Sequence, residues 1–133
     1  MTIRYATDES GYRAGACNIG PEEIARRRRS GLAAIGIALV IGVALVVADA
    51  PAWSRVLVFP FLAGGLVSLE QARRRFCVAF AMAGVSNFGA VGRTERVEQD
   101  AHRAADRRAA LTMVATMSAI AAVLTAVFVA LPL

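Results

Sequence analysis

Few side chains in this sequence could do covalent or acid–base chemistry. It holds two cysteines, Cys17 and Cys77, one histidine, His102, fifteen arginines and no lysine. The cysteines stand sixty positions apart, with no Cys-x-x-Cys and no metal-ligand spacing, so neither a metal nor another cofactor is expected. What they could do is thiol chemistry. Arg26, Arg27, Arg28 and Arg29 follow the first cysteine, and Arg73, Arg74 and Arg75 precede the second. A local positive field lowers a thiol pKa and raises its thiolate fraction. Such a pair could form a disulfide, carry a persulfide or sense redox state. The competing reading makes each cysteine a small buried apolar residue in a reducing compartment. His102 lies among charges, and the favoured reading is a solvated residue rather than a catalyst.

The elements that must position these groups are apolar runs. Apolar residues make up 57 % of the 133 residues, above the usual soluble share of roughly 45–50 %. Residues 31–48 carry no charge, and a chain of this size lacks the protein to surround such a helix on every face. A bilayer supplies that surround, needing about 20 apolar residues to cross. Pro21 suits a first helical position, Asn18 or Gly20 can cap, and Glu22 and Glu23 sit where the helix dipole favours them. One helix is expected over residues 21–48, retained as an anchor rather than cleaved as a signal peptide. Asp49, Ala50 and Pro51 break it.

A second crossing is expected over residues 52–69, bent at Pro60, with Gly64-Gly65 allowing close backbone approach. Residues 76–92 are uncharged and seventeen long, but crossing there would carry the following arginines outward. They are read as an interfacial or re-entrant segment. Residues 94–108 should start a charged helix, with Arg96–Asp100 and His102–Asp106 at i,i+4 and Asp100–Arg103 at i,i+3. It would lead into a third crossing over residues 109–131. With the N-terminus inside, fourteen of the fifteen arginines lie on the cytoplasmic side and only Arg55 lies outside. The expected fold is an all-α integral membrane protein with three transmembrane helices, N-in and C-out, in a bacterial inner membrane. Its parts are a polar arm (1–17), a hairpin with the interfacial segment (18–92), and a charged cytoplasmic helix leading into the third span (93–133).

Equal rise on two antiparallel helices puts residues whose numbers sum to about 101 at one depth. Glu70 then lies level with Gly31, in reach of Arg27, Arg28 or Arg29. The favoured reading is an interhelical salt bridge pinning the hairpin; the sharper one is a proton or ligand carboxylate at the membrane edge. The same arithmetic brings Cys77 beside Ile24 and close to Cys17. Small residues repeat at four-residue spacing: Ser30, Ala34, Ala38 and Gly42; Gly64, Ser68 and Ala72; Ser118, Ala122, Ala126 and Ala130. Such stripes let helices approach in lipid, and one of them is expected to face another subunit.

Cys17-Asn18-Ile19-Gly20, the acidic pair, the arginines and Gly31, then Phe76-Cys77-Val78-Ala79-Phe80 and Gly84-Val85, form a recognisable series. It resembles the two-helix inner-membrane domain of unknown function found alone or fused to membrane-bound rhodanese sulfurtransferases. The resemblance covers residues 17–89. Val78 stands where that family has proline, and Phe80 where it has tyrosine. It implies a membrane hairpin that dimerises, in a sulfur-related context in some members.

These readings converge on a multi-pass membrane protein of interaction or assembly type, more a scaffold than an enzyme. Its partners are the bilayer, anionic headgroups on the cytoplasmic side, and either further copies of itself or a membrane protein. Nucleic acid is not expected, because the arginines cluster at the ends of apolar runs instead of forming a stripe. The alternative is a thiol or sulfur-relay protein using Cys17 and Cys77.

Overall fold

The computed structural model describes residues 12–89 and 94–133 and is mostly helical. Three of its helical stretches are long and apolar enough to cross a membrane: Pro21–Val47, Ala52–Arg74 and Asp100–Ala130. The chain itself buries only 17 % of the most apolar stretch of the first and of the third. Leu39, Val40, Val43, Val123 and Val127 therefore point away from any protein, as side chains facing lipid tails would.

Helix α1 (Pro21–Val47) starts as its sequence demands, with Gly20 extended at the cap, Pro21 in the first turn and Glu22 and Glu23 behind it. Gly20 caps without a side chain, since Asn18 is engaged elsewhere. A Cβ at Gly20 would fall 2.8 Å from the Cα and carbonyl oxygen of Phe88, so only glycine fits. The helix closes at Ala48, and Asp49 turns the chain in the left-handed region with φ of 57°.

The second span has two parts. A 3-10 helix (Ala52–Val58) leads directly into α2 (Phe59–Arg74). Pro60, at which the sequence suggested a bend, lies where the two parts meet. It occupies the first turn of α2, where its missing N–H costs nothing. α2 lies between α1 and the long C-terminal helix and packs against both.

Helices α1 and α2 meet most closely at two glycines. A Cβ at Gly31 would lie 2.7 Å from Leu69 Cγ and 3.0 Å from its main-chain nitrogen. One at Gly65 would lie 2.7 Å from Ile35 and 3.2 Å from the Gly31 carbonyl oxygen. This is the depth match expected from equal rise, but the close approach belongs to Gly65. Gly64, one residue and 100° away, has open space around it. Gly31→Ala should destabilise the hairpin by about 1–3 kcal/mol, as overpacking does. Gly64→Ala should be neutral or slightly stabilising. Thermal unfolding in detergent separates the two.

Residues 76–89 form no membrane-length helix. A short helix α3 (Val78–Ala83) ends at Gly84, and β1 (Val85–Ser86) pairs antiparallel with β2 (Glu95–Arg96), Val85 opposite Arg96. The last part of the expected interfacial segment, residues 90–92, lies outside the described residues. The C-terminal helix α4 (Asp100–Ala130) begins six residues later than the charge pattern suggested, because residues 95 and 96 are taken into the strand pair. Arg96 thus has no helical partner in Asp100, whereas Asp100 and Arg103 do form their i,i+3 ion pair. Phe76 and Ala81 pack on Ala110 and Met113 of α4, so the best-formed core sits at the arginine-bearing end of the bundle.

Candidate functional site

A knot of buried polar groups joins the segment before α1 to the turn after α2. Asn18, Glu23, Cys77 and Asn87 all have 1 % exposure or less. Asn18 works in both directions: its Nδ2 donates to the Cys77 carbonyl at 3.1 Å, and its Oδ1 accepts from the Cys77 N–H at 2.6 Å. The main chain continues the stitch. Asn18 N–H donates to Arg75 O, Asn87 N–H to Asn18 O, and Gly20 N–H to Asn87 O. A parallel bridge between Ile19 and Asn87 results. The Cys77 carbonyl also accepts the Ala81 N–H, and the other backbone groups of the stitch find their partners here, away from water.

The Cys77 thiol lies inside this knot. Arg27, one turn into α1 from Glu23, donates from Nη2 to Cys77 Sγ at 2.8 Å. The same nitrogen is 3.5 Å from Glu23 Oε2. Arg26 approaches that oxygen at 3.9 Å from its exposed position, and Asn87 Nδ2 donates to Glu23 Oε1 at 3.4 Å. The guanidinium also sits 5.9 Å from the centre of the Phe80 ring. One arginine is thus shared between a carboxylate, a thiol and an aromatic face.

Cys17 is in a different setting. It is half-buried, and its Sγ donates weakly to the Ile19 carbonyl at 3.9 Å. Burial pushes this thiol up from its ordinary pKa, and the Ile19 contact, Arg75 and Arg13 only partly offset it. The arginine field expected to activate it is therefore the weaker effect. The segments carrying the two cysteines adjoin through Asn18, and both thiols are free.

Glu70 does not bridge to Arg27, Arg28 or Arg29. Arg73 donates from Nε to Glu70 Oε2 at 2.9 Å, and Arg74 from Nε to Oε1. Arginines three and four residues on are held beside Glu70 by the helix itself and outcompete partners on another helix. The carboxylate that meets Arg27 is Glu23. Arg28 and Arg29 are exposed.

Two further polar sites had no local signature. Asp106, fully buried on α4, accepts from Tyr12 Oη at 2.6 Å and from the Gly15 N–H at 2.7 Å. The arm is therefore docked from Tyr12 onward. Burial and the Asp106 contact hold the Tyr12 phenol protonated well above its usual range, so it stays a donor. His102, half-buried instead of solvated, lies with its ring 5.9 Å from that of Tyr12. At the opposite end, buried Arg55 donates to the main-chain oxygens of Phe128, Leu131 and Leu133 and lies over the Phe128 ring.

Of the small-residue stripes, Ala38 and Gly42 are buried, Ala34 and Ser68 half-buried, and Gly64 exposed. On α4 the buried small residues are Ala110, Ala121 and Thr125, while Ala122, Ala126 and Ala130 are exposed. Among the described residues no three His, Cys, Asp or Glu side chains are grouped to hold a metal ion. No family model matches the chain, and neither the curated proteins nor the solved structures yield a match.

Proposed function

We propose that this chain is a small multi-pass bacterial inner-membrane protein of interaction or assembly type that associates with copies of itself. In this reading its N-terminus and arginine-rich ends are cytoplasmic, its C-terminus is outside, and the segment around α3 lies at the cytoplasmic interface. The placement of fourteen of fifteen arginines on one side supports the orientation. The likeness to the two-helix domain found with membrane rhodaneses supports the hairpin as the shared unit.

The observation that carries the assembly reading is on α4. Ala122, Thr125, Ala126 and Val129 line, with Val56 and Phe59, a groove of about 450 Å³ that none of the described helices fills. Small residues beside an open groove are what close helix association in lipid requires. An Ala126→Cys variant in a Cys17→Ser background should cross-link to a dimer on mild oxidation in native membranes. Monomer alone at every protein-to-lipid ratio would sink the reading. A protease-cleavable tag after Leu133 should be removed from outside spheroplasts; its protection there would reverse the orientation.

A second reading, thiol or sulfur-relay chemistry, is favoured by the Arg27–Cys77 contact alone. Its test is differential alkylation. Cys17 should react in the folded protein, with a rate still climbing above the ordinary thiol pKa of about 8.5, because burial keeps the thiolate fraction low at neutral pH. Cys77, with no exposed surface, should react only when the protein opens globally. Rapid labelling of Cys77 in the folded state, or a persulfide found on it after sulfur stress, would promote this reading over assembly.

A further inference from the structure

Where α2 ends and the uncharged run of α4 begins, a cavity of about 300 Å³ opens beside the docked arm, lined by Gly15, Ala16, Arg74, Phe76, Ala109 and Met113. Its walls are of two chemistries. Phe76 and Met113 belong to the apolar cluster, and Ala109 opens the uncharged run of α4. Arg74 contributes a guanidinium whose side chain is 56 % exposed. Glu70 neutralises only part of the charge here, since it is shared by Arg73 and Arg74. Arg107 and Arg108, directly before Ala109, have no ion-pair partner among the described residues.

We infer that this cavity binds one anionic phospholipid, its phosphate against Arg74 and an acyl chain along Phe76, Ala109 and Met113. The inference rests on the proposed orientation, which places this end of the bundle at the anionic leaflet. Both lining helices change from charged to apolar at this level, the level at which a phospholipid does the same. A free anion would satisfy only the arginine, and an apolar molecule only the remaining wall.

The full chain in mild detergent, offered phosphatidylglycerol or phosphatidylcholine at equal concentration, gives the test, with native mass spectrometry counting retained lipids. One phosphatidylglycerol per protomer should be held, with phosphatidylcholine held about fivefold less, the worth of one basic residue at a charged surface. Arg74→Gln should cut retention by a similar factor. Ala109→Leu fills the cavity without changing charge and should also lose the lipid. Should that variant unfold, Ala16→Trp fills the same space from the exposed arm. Arg29→Gln, on the open face of α1, should leave retention unchanged.

Equal losses in Arg74→Gln and Arg29→Gln, with both filling variants unaffected, would mean diffuse attraction to the arginine ring. That result removes the cavity site and leaves the orientation standing. Equal retention of the two lipids would overturn recognition of charge. Displacement by glycerol phosphate would make the phosphate alone the ligand and overturn the lipid assignment. A tag after Leu133 protected from outside would remove the orientation on which the site depends.

Discussion

Asn18→Ala should unfold the arginine-bearing end of the protein. The substitution leaves the buried Cys77 N–H without a partner, while the Cys77 carbonyl loses the Asn18 amide and keeps the Ala81 N–H at 3.0 Å. The orphaned N–H costs about 1–3 kcal/mol and the lost bond to the carbonyl about 0.5–1.5 kcal/mol, so a loss of about 2–4 kcal/mol is expected. That is a large share of the roughly 5–15 kcal/mol by which folded domains are stable. Asn18→Asp is the informative companion. It keeps an acceptor for the Cys77 N–H and loses the donor to the Cys77 carbonyl, so it should fall between wild type and alanine. The measurements are thermal unfolding in detergent and the alkylation rate of Cys77, which should rise towards that of Cys17 as the knot opens. An Asn18→Ala protein that melts like wild type, with Cys77 still protected, would mean the knot is held by its main-chain bonds alone.

Arg55→Met should release the far end of α4. The last carbonyls of a helix lack partners within it, and here one guanidinium serves Phe128, Leu131 and Leu133 together at 2.8–3.1 Å. A hydrogen bond from a charged donor is worth about 1.5–3 kcal/mol and the three are not additive, so a loss of about 3 kcal/mol is expected. Arg55→Lys should recover only part, since an ammonium cannot reproduce the planar fork or its stacking on Phe128. Proteolysis and hydrogen exchange should localise the damage to residues 126–133, with the Asn18 knot untouched. If fraying appears at both ends of the bundle, Arg55 has a wider role than capping.

The long elements were legible because charge marks their limits. Arg29 and Asp49 bracket the first span, and Arg73 closes the second. The level at which α1 meets α2 was legible too, since two antiparallel helices rise equally. Which glycine faces the neighbour was not. That depends on helix phase, since neighbouring residues point about 100° apart. Glu70 did carry a readable local signal in Arg73 and Arg74, and geometry within one helix outranked reach across two. The pairs Asn18–Cys77, Tyr12–Asp106 and Arg55–Phe128 had no such signal. Their members are far apart in the chain and obey no helical period, so only the fold brings them together.

The knot at Asn18 also sets an order of events during synthesis. The groups that fix the start of α1 are encoded 59 residues downstream of it. At translation rates of about 5–20 residues per second, α1 spends roughly 3–12 s outside the ribosome with its own beginning unsecured. It must therefore settle in the bilayer as a solitary helix on the strength of its apolar run. The junction with α2 can seal only afterwards, once the turn at Cys77 and the residues through Asn87 have emerged.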